Sequence, residues 1–109
     1  MPVRAFEMQL YPGQVAEYRR RHDAIWPELA DLLREAGVYD YRIFVNEDSG
    51  RLFAVMHLAE AHHVDELPGH EVMQRWWAYM ADIMETAPDD APITEALEPV
   101  FAMTPESNG

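Results

Sequence analysis

His22 can do more chemistry than any other residue in this chain. Imidazole titrates near neutral pH, so it can give or take a proton under ordinary conditions. It sits in the series Val15, Tyr18, His22, Ile25, Leu29, Leu32 and Ala36. Steps of three and four place these residues on one face of a helix. His22 therefore interrupts an apolar stripe one turn after Tyr18 and points toward a semi-buried pocket. A histidine satisfied within a core fits the same pattern. The second feature is Trp76-Trp77 in QRWWAYM. Neighbouring helical residues point about 100° apart, so both indoles cannot occupy the centre of one stripe. One is expected to pack the core and the other to border a cleft. An indole face there would stack on the apolar C–H face of a sugar, and its N–H would reach a hydroxyl. The plainer reading is two core tryptophans. Tyr18, Tyr39 and Tyr41 add phenols to the same layer.

Other chemistries find no residues. The chain of 109 residues has no cysteine, which removes disulfides, thiolate metal sites and cysteine nucleophiles. It has no glycine-rich phosphate loop and no GxSxG elbow. His62 and His63 are adjacent and diverge on a helix, and no HExxH spacing exists, so no metal site is expected. Eight Lys and Arg against twenty Asp and Glu give a net charge of −12, which repels nucleic acid and anionic membranes. A neutral or cationic small molecule is the easier guest. No apolar run approaches a membrane span, and the N-terminus does not read as a signal peptide. With no cysteine, a cytoplasmic location is expected. The run Arg19-Arg20-Arg21 reads as a solvated helix face, or alternatively as a cluster that steadies the fold against the acidic surplus.

These residues need elements to hold them. Val3 to Leu10 alternates as a strand. A helix follows, broken at Trp26-Pro27, with a second piece starting at Pro27 and stopping at Gly37. Val38 to Asn46 is a strand with Tyr39, Tyr41, Ile43 and Val45 on one face. A five-residue turn leads to its partner, Arg51 to Ala59, which is apolar on both faces and so central in its sheet. Glu60 to Leu67 forms a short helical turn. Glu71 to Glu85 is a helix, and Ala96 to Met103 is a last strand. Pro99 cannot donate to a ladder, so this strand belongs at an edge. The order β-α-β-β-α-β is the α+β, ferredoxin-like pattern, with strand order 4-1-3-2. Residues 1–104 form one domain and 105–109 a flexible tail. Helices cover one face of such a sheet. The apolar residues on the other face call for a cover, and a second copy of the chain, giving a homodimer, is the simplest one.

The segments AFEMQL, EYRRRHDAIWPEL, LFAVM and QRWWAYM, with a closing VF strand, resemble the L-rhamnose mutarotase family. The resemblance runs from about Val3 to Met103, and the first motif together with RWWAYM is highly specific. It implies a dimeric α/β-barrel in which two ferredoxin-like protomers face their sheets together. It implies exchange of the α and β anomers of L-rhamnose, a small neutral sugar, with no cofactor and no metal. Carried over residue by residue, it makes His22 the proton donor and Tyr18 and Tyr41 sugar contacts. Trp76 and Trp77 become the aromatic wall. Ring opening at C1–O5 needs a proton on O5 and loss of one from O1. His22 can supply the first. Tyr18, Tyr41 or a water could carry the second. Alternatives are a mutarotase for another 6-deoxy sugar such as L-fucose, a non-catalytic sugar-binding dimer, and a cofactor-free monooxygenase or haem-binding relative. The RHxxIWP motif argues against the last. The polar stretch Ala61 to Gly69 departs from the family and could tune the sugar.

Overall fold

The computed structural model describes residues 2–105. Residues 106–109, most of the expected tail, lie outside the described residues. β1 is Val3–Gln9, α1 is Val15–Asp23 and α2 is Pro27–Glu35. β2 is Val38–Asn46 and β3 is Arg51–Leu58. A 3-10 turn, Val64–Gly69, leads into α3, Glu71–Met80, and β4 is Glu95–Leu97.

The strands form one antiparallel sheet in the order β2-β3-β1-β4. This is the expected 4-1-3-2 order of a ferredoxin-like fold, with β3 and β1 inside. Pairing defines the two faces. Phe6 opposes Ala54, Met8 opposes Leu52, Tyr41 opposes Met56 and Ile43 opposes Ala54, so these residues share the helix-covered face. Leu52, Ala54, Met56 and Leu58 are all buried there. Leu29 of α2 and Met73, Trp76 and Met80 of α3 close the core over them. Among the described residues no helix is long and apolar enough to cross a membrane.

The break between α1 and α2 falls where Pro27 dictates. Trp26 is extended, with φ −62° and ψ 129°, as a residue before proline should be, and Pro27 opens the next helix. Gly37 ends α2 with φ +104°. A side chain there would put its Cβ 2.7 Å from the Cβ of His62, so only glycine fits the tight entry into β2.

Three expectations need correction. α3 ends at Met80 rather than Glu85, because the following residues are recruited by the end of β1. Met84 bridges Leu10, the Tyr11 amide donates to the Ile83 carbonyl, and the Glu85 amide donates to the Gln9 carbonyl. β4 spans three residues rather than eight and stops before Pro99. Beyond it Val100, Phe101 and Met103 project into solvent, at 96%, 80% and 82% exposure. Tyr39 does not share the face of Tyr41. The register slips between Val38 and Asp40, and this bulge turns Tyr39 toward His57, on the opposite side of the sheet.

Candidate active site

α1, β2 and α3 bring five side chains to one cavity. It lies on the helix side of the sheet and has a volume of about 930 Å³. That is within the roughly 300–1,000 Å³ of small-molecule sites. His22, Tyr18, Tyr41, Trp76 and Trp77 all line it.

His22 occupies the last turn of α1. Its ring centre lies 4.2 Å from that of Tyr18 and 5.4 Å from that of Trp76, the latter edge-on at 90°. Nδ1 lies 3.2 Å from the Tyr18 carbonyl oxygen, one helical turn back. A carbonyl only accepts, so Nδ1 carries the hydrogen of this bond. In the neutral ring Nε2 is then the open acceptor. Burial pushes the imidazole pKa below its ordinary 6.5. The Tyr18 carbonyl and the charge of Asp23 pull the other way, more weakly. The neutral ring is therefore the resting form at neutral pH.

The phenols are shifted the opposite way by the same cause. Tyr18 is buried, and burial, with a smaller contribution from nearby Tyr41, raises its pKa well above 10. Tyr41 is 36% exposed, and loss of water around the phenol pushes it up to about 12. Both stay protonated across the physiological range. They can donate hydrogen bonds but are poor bases.

The tryptophans divide as their helical spacing requires. Trp76 is 6% exposed and belongs to the core, its ring edge-on to both His22 and Trp26, with centres 5.4 Å and 5.1 Å away. Trp77 is only partly buried and borders the cavity from the flank of α3.

Arg21 does not belong to a solvated face. Its side chain is 10% exposed. Nε donates to Glu17 at 2.7 Å, and Nη1 donates to the Tyr79 carbonyl at 2.8 Å and to Asp82 at 2.9 Å. Arg20, by contrast, is exposed and pairs with Glu17 on the surface. The two arginines, Arg20 first, hold the Glu17 carboxyl down at about 2. The Glu17–Arg21 spacing of four was visible in the sequence. The partners on and just beyond the far helix were not. No group of three or more acidic, histidine or cysteine residues able to hold a metal occurs among the described residues.

A site of one neutral imidazole, two protonated phenols and an indole wall offers proton transfer to an uncharged hydroxylated ligand. Comparison with known proteins points the same way. A family model described as L-rhamnose mutarotase matches residues 4–103. The L-rhamnose mutarotase of Jannaschia sp. (strain CCS1) is 61% identical over 99 residues, covering 91% of this chain and 95% of its own length. That of Burkholderia orbicola (strain MC0-3) is 56% identical over 101 residues, covering 93% and 97%. The crystal structure of an L-rhamnose mutarotase from Formosa agariphila superposes with a TM-score of 0.89 at 40% identity, covering 95% of this chain and all of that one. A Shewanella oneidensis protein, 20% identical with a TM-score of 0.58, shares the fold alone. The chain belongs to the L-rhamnose mutarotase family.

Proposed function

We propose that this protein interconverts the α and β anomers of L-rhamnose, with His22 moving the proton. Family membership supports the substrate. The observation that carries the mechanism is the His22 ring, fixed by its Nδ1–H on the Tyr18 carbonyl with Nε2 left as acceptor. Nε2 takes the proton of O1, and the resulting imidazolium delivers it to O5 as the C1–O5 bond breaks. O1 and O5 share C1, so one nitrogen can serve both. The open-chain aldehyde rotates about C1–C2, and the reverse transfers close the ring on the other face. The proton that leaves O1 is the proton that arrives at O5, so the step balances. As imidazolium, His22 is the donor that the sequence resemblance implied. Tyr18 and Tyr41, kept protonated, donate hydrogen bonds to the sugar oxygens. Trp77 gives the sugar ring or its C6 methyl an apolar platform. Acid–base assistance of this kind supplies about 10²–10⁴-fold. That suffices for a reaction that already proceeds in water.

Saturation-transfer NMR across the anomeric signals tests the reading. L-rhamnose should exchange faster with wild-type protein and at the uncatalysed rate with His22→Ala. Faster exchange of L-fucose than of L-rhamnose would reassign the sugar. Equal rates for wild type and His22→Ala would remove His22 from the chemistry.

We propose also that the working form is a homodimer with sheet facing sheet. Val3, Ala5, Phe44, Phe53, Val55 and Leu97 share the face that no helix covers, and Phe44 is 59% exposed there. The projecting Val100, Phe101 and Met103 lie just beyond the same sheet edge. Burying such a face against itself matches an isologous two-fold interface. Sedimentation showing only a 12.6 kDa species at micromolar concentration would overturn this. The cytoplasmic location goes with the same proposal, supported by a chain without cysteine.

A further inference from the structure

We propose that Arg21 is a positioning residue that sets the place of the His22 ring by clamping the end of α1 to the end of α3. α1 has nine residues, and the chain breaks immediately after it at Ala24–Trp26. A helix this short is marginal in isolation, and its last turn frays unless something outside holds it. His22 sits in that turn. The amides that close this turn, Ala24 and Ile25, donate to the Arg20 and His22 carbonyls of α1 itself, at 3.3 Å and 3.2 Å, and so tie it to no other element.

Arg21 supplies the missing hold. Its guanidinium spans from Glu17 on its own helix to the far end of α3. There it meets the Tyr79 carbonyl at 2.8 Å and both oxygens of Asp82, at 2.9 Å and 3.3 Å. Two parallel bonds to one carboxylate fix orientation as well as distance. The guanidinium carbon also lies 4.7 Å from the centre of the Tyr79 ring. Tyr79 in turn packs on Trp26, with ring centres 5.5 Å apart, and the Arg75 guanidinium lies over the Trp26 ring at 5.7 Å. Trp26 stands edge-on to Trp76, and Trp76 stands edge-on to His22. Arg21 thus reaches His22 by two routes. One is the adjoining peptide. The other runs through Tyr79, Trp26 and Trp76. A surface salt bridge would not do this. Arg21 is enclosed, its partners lie on two elements, and the residue next to it carries the proposed chemistry.

The inference rests on the assignment of proton transfer to His22, and two separate readouts keep the claims apart. The first is anomer exchange of L-rhamnose, resolved into kcat and KM. The second is the NMR resonance and titration of the His22 ring, which needs no activity. Arg21→Met keeps most of the aliphatic bulk and loses every bond. It should lower kcat on the order of 10–100-fold, since small displacements of a reacting group cost that much. KM should change by less than about twofold, as expected when an interaction serves the chemical step rather than binding. The His22 resonance should move, and its titration midpoint should rise toward 6.5 as the ring gains water. Arg21→Lys keeps the charge but cannot span Asp82 and the carbonyl together, so it should recover only part of kcat. Asp82→Asn weakens the same clamp from an exposed partner and should act in the same direction, less strongly; it decides the matter if Arg21→Met does not fold. An unchanged kcat with an unmoved His22 resonance would overturn the inference, even if the melting temperature fell. So would a raised KM with kcat intact. If wild type does not accelerate L-rhamnose exchange at all, the assigned reaction fails, while the His22 resonance still decides whether the clamp exists.

Discussion

Replacing each tryptophan of the Trp76-Trp77 pair by alanine should have opposite consequences. Trp76 is 6% exposed and touches His22, Trp26 and Tyr79, with ring centres 5.4, 5.1 and 5.6 Å away. Trp76→Ala removes a nearly complete indole from a packed core, which costs about 3–5 kcal/mol. Aromatic pairs add roughly 0.5–1.5 kcal/mol each beyond their area, so the upper half of the range is expected. A domain of this size has about 5–15 kcal/mol in total, so the variant should fold but barely. With a urea slope of roughly 2 kcal/mol/M, the midpoint should fall by about 2 M. Trp77 is partly exposed on the cavity side and leaves a smaller void. Trp77→Ala should shift the midpoint by well under half as much, and its main effect should be a higher KM for L-rhamnose. Far-UV circular dichroism follows both melts without relying on the tryptophans themselves. Equal losses of stability would refute the division of roles read from the helix geometry. So would a Trp77→Ala variant with unchanged sugar affinity.

Activity should fall on the acid side, below the ordinary imidazole value of 6.5, because the neutral His22 ring is the working form in the proposed mechanism and burial depresses its pKa. The pH profile of exchange from pH 5 to 9 checks this, and a rate that rises toward pH 5 would contradict it. Folding stability should follow the same sign. A depressed imidazole pKa means the unfolded chain binds a proton that the folded one refuses, so stability drops as pH falls below 6.5, and His22→Asn should flatten that slope. At the alkaline end the phenols act in the mirror sense. The raised pKa values of Tyr18 and Tyr41 contribute stability that is complete below pH 10 and lost above it, and Tyr18→Phe should reduce the loss seen in melts from pH 9 to 12. Gly37→Ala should destabilise by at least about 1–3 kcal/mol, measured by urea unfolding, because φ is +104° and His62 occupies the space.

The elements that could be read from the sequence are those whose ends are set by local chemistry. Pro27 broke the helix where it stands, Gly37 ended the second piece, and β2 ran from Val38 to Asn46 as its alternation required. Strand order followed from the β-α-β-β-α-β element order, and β3, apolar on both faces, agreed with its inner place. The misses share a different origin. α3 kept its apolar spacing past Met80, yet Met84 was claimed by Leu10, a partner 74 residues earlier in the chain. The bulge at Tyr39 left no mark on the alternation of β2, because a tyrosine suits either face. Arg21 looked like its neighbours Arg19 and Arg20 because a guanidinium is normally solvated. Only the placement of Asp82 and the Tyr79 carbonyl explains why this one is not. Periodicity names the face on which a residue lies, and distant partners decide what meets it there.

The charge of the chain makes the same point about the site. A net −12 argues for a raised imidazole pKa, since negative charge favours the protonated ring. The structure gives the opposite sign at His22. Asp23 is exposed and its field is weakened by water, whereas the ring is packed between Tyr18 and Trp76 and loses water directly. Desolvation wins because it acts at contact and the global charge does not. The same loss of water holds Tyr18 and Tyr41 protonated. One cause therefore sets all three groups: an acceptor at Nε2 and two committed donors lining one cavity, with no formal charge among them. An ionised sugar acid would find no counter-charge among these three groups. A neutral pyranose finds an acceptor for O1 and donors for its other oxygens, which is the demand that anomer exchange makes.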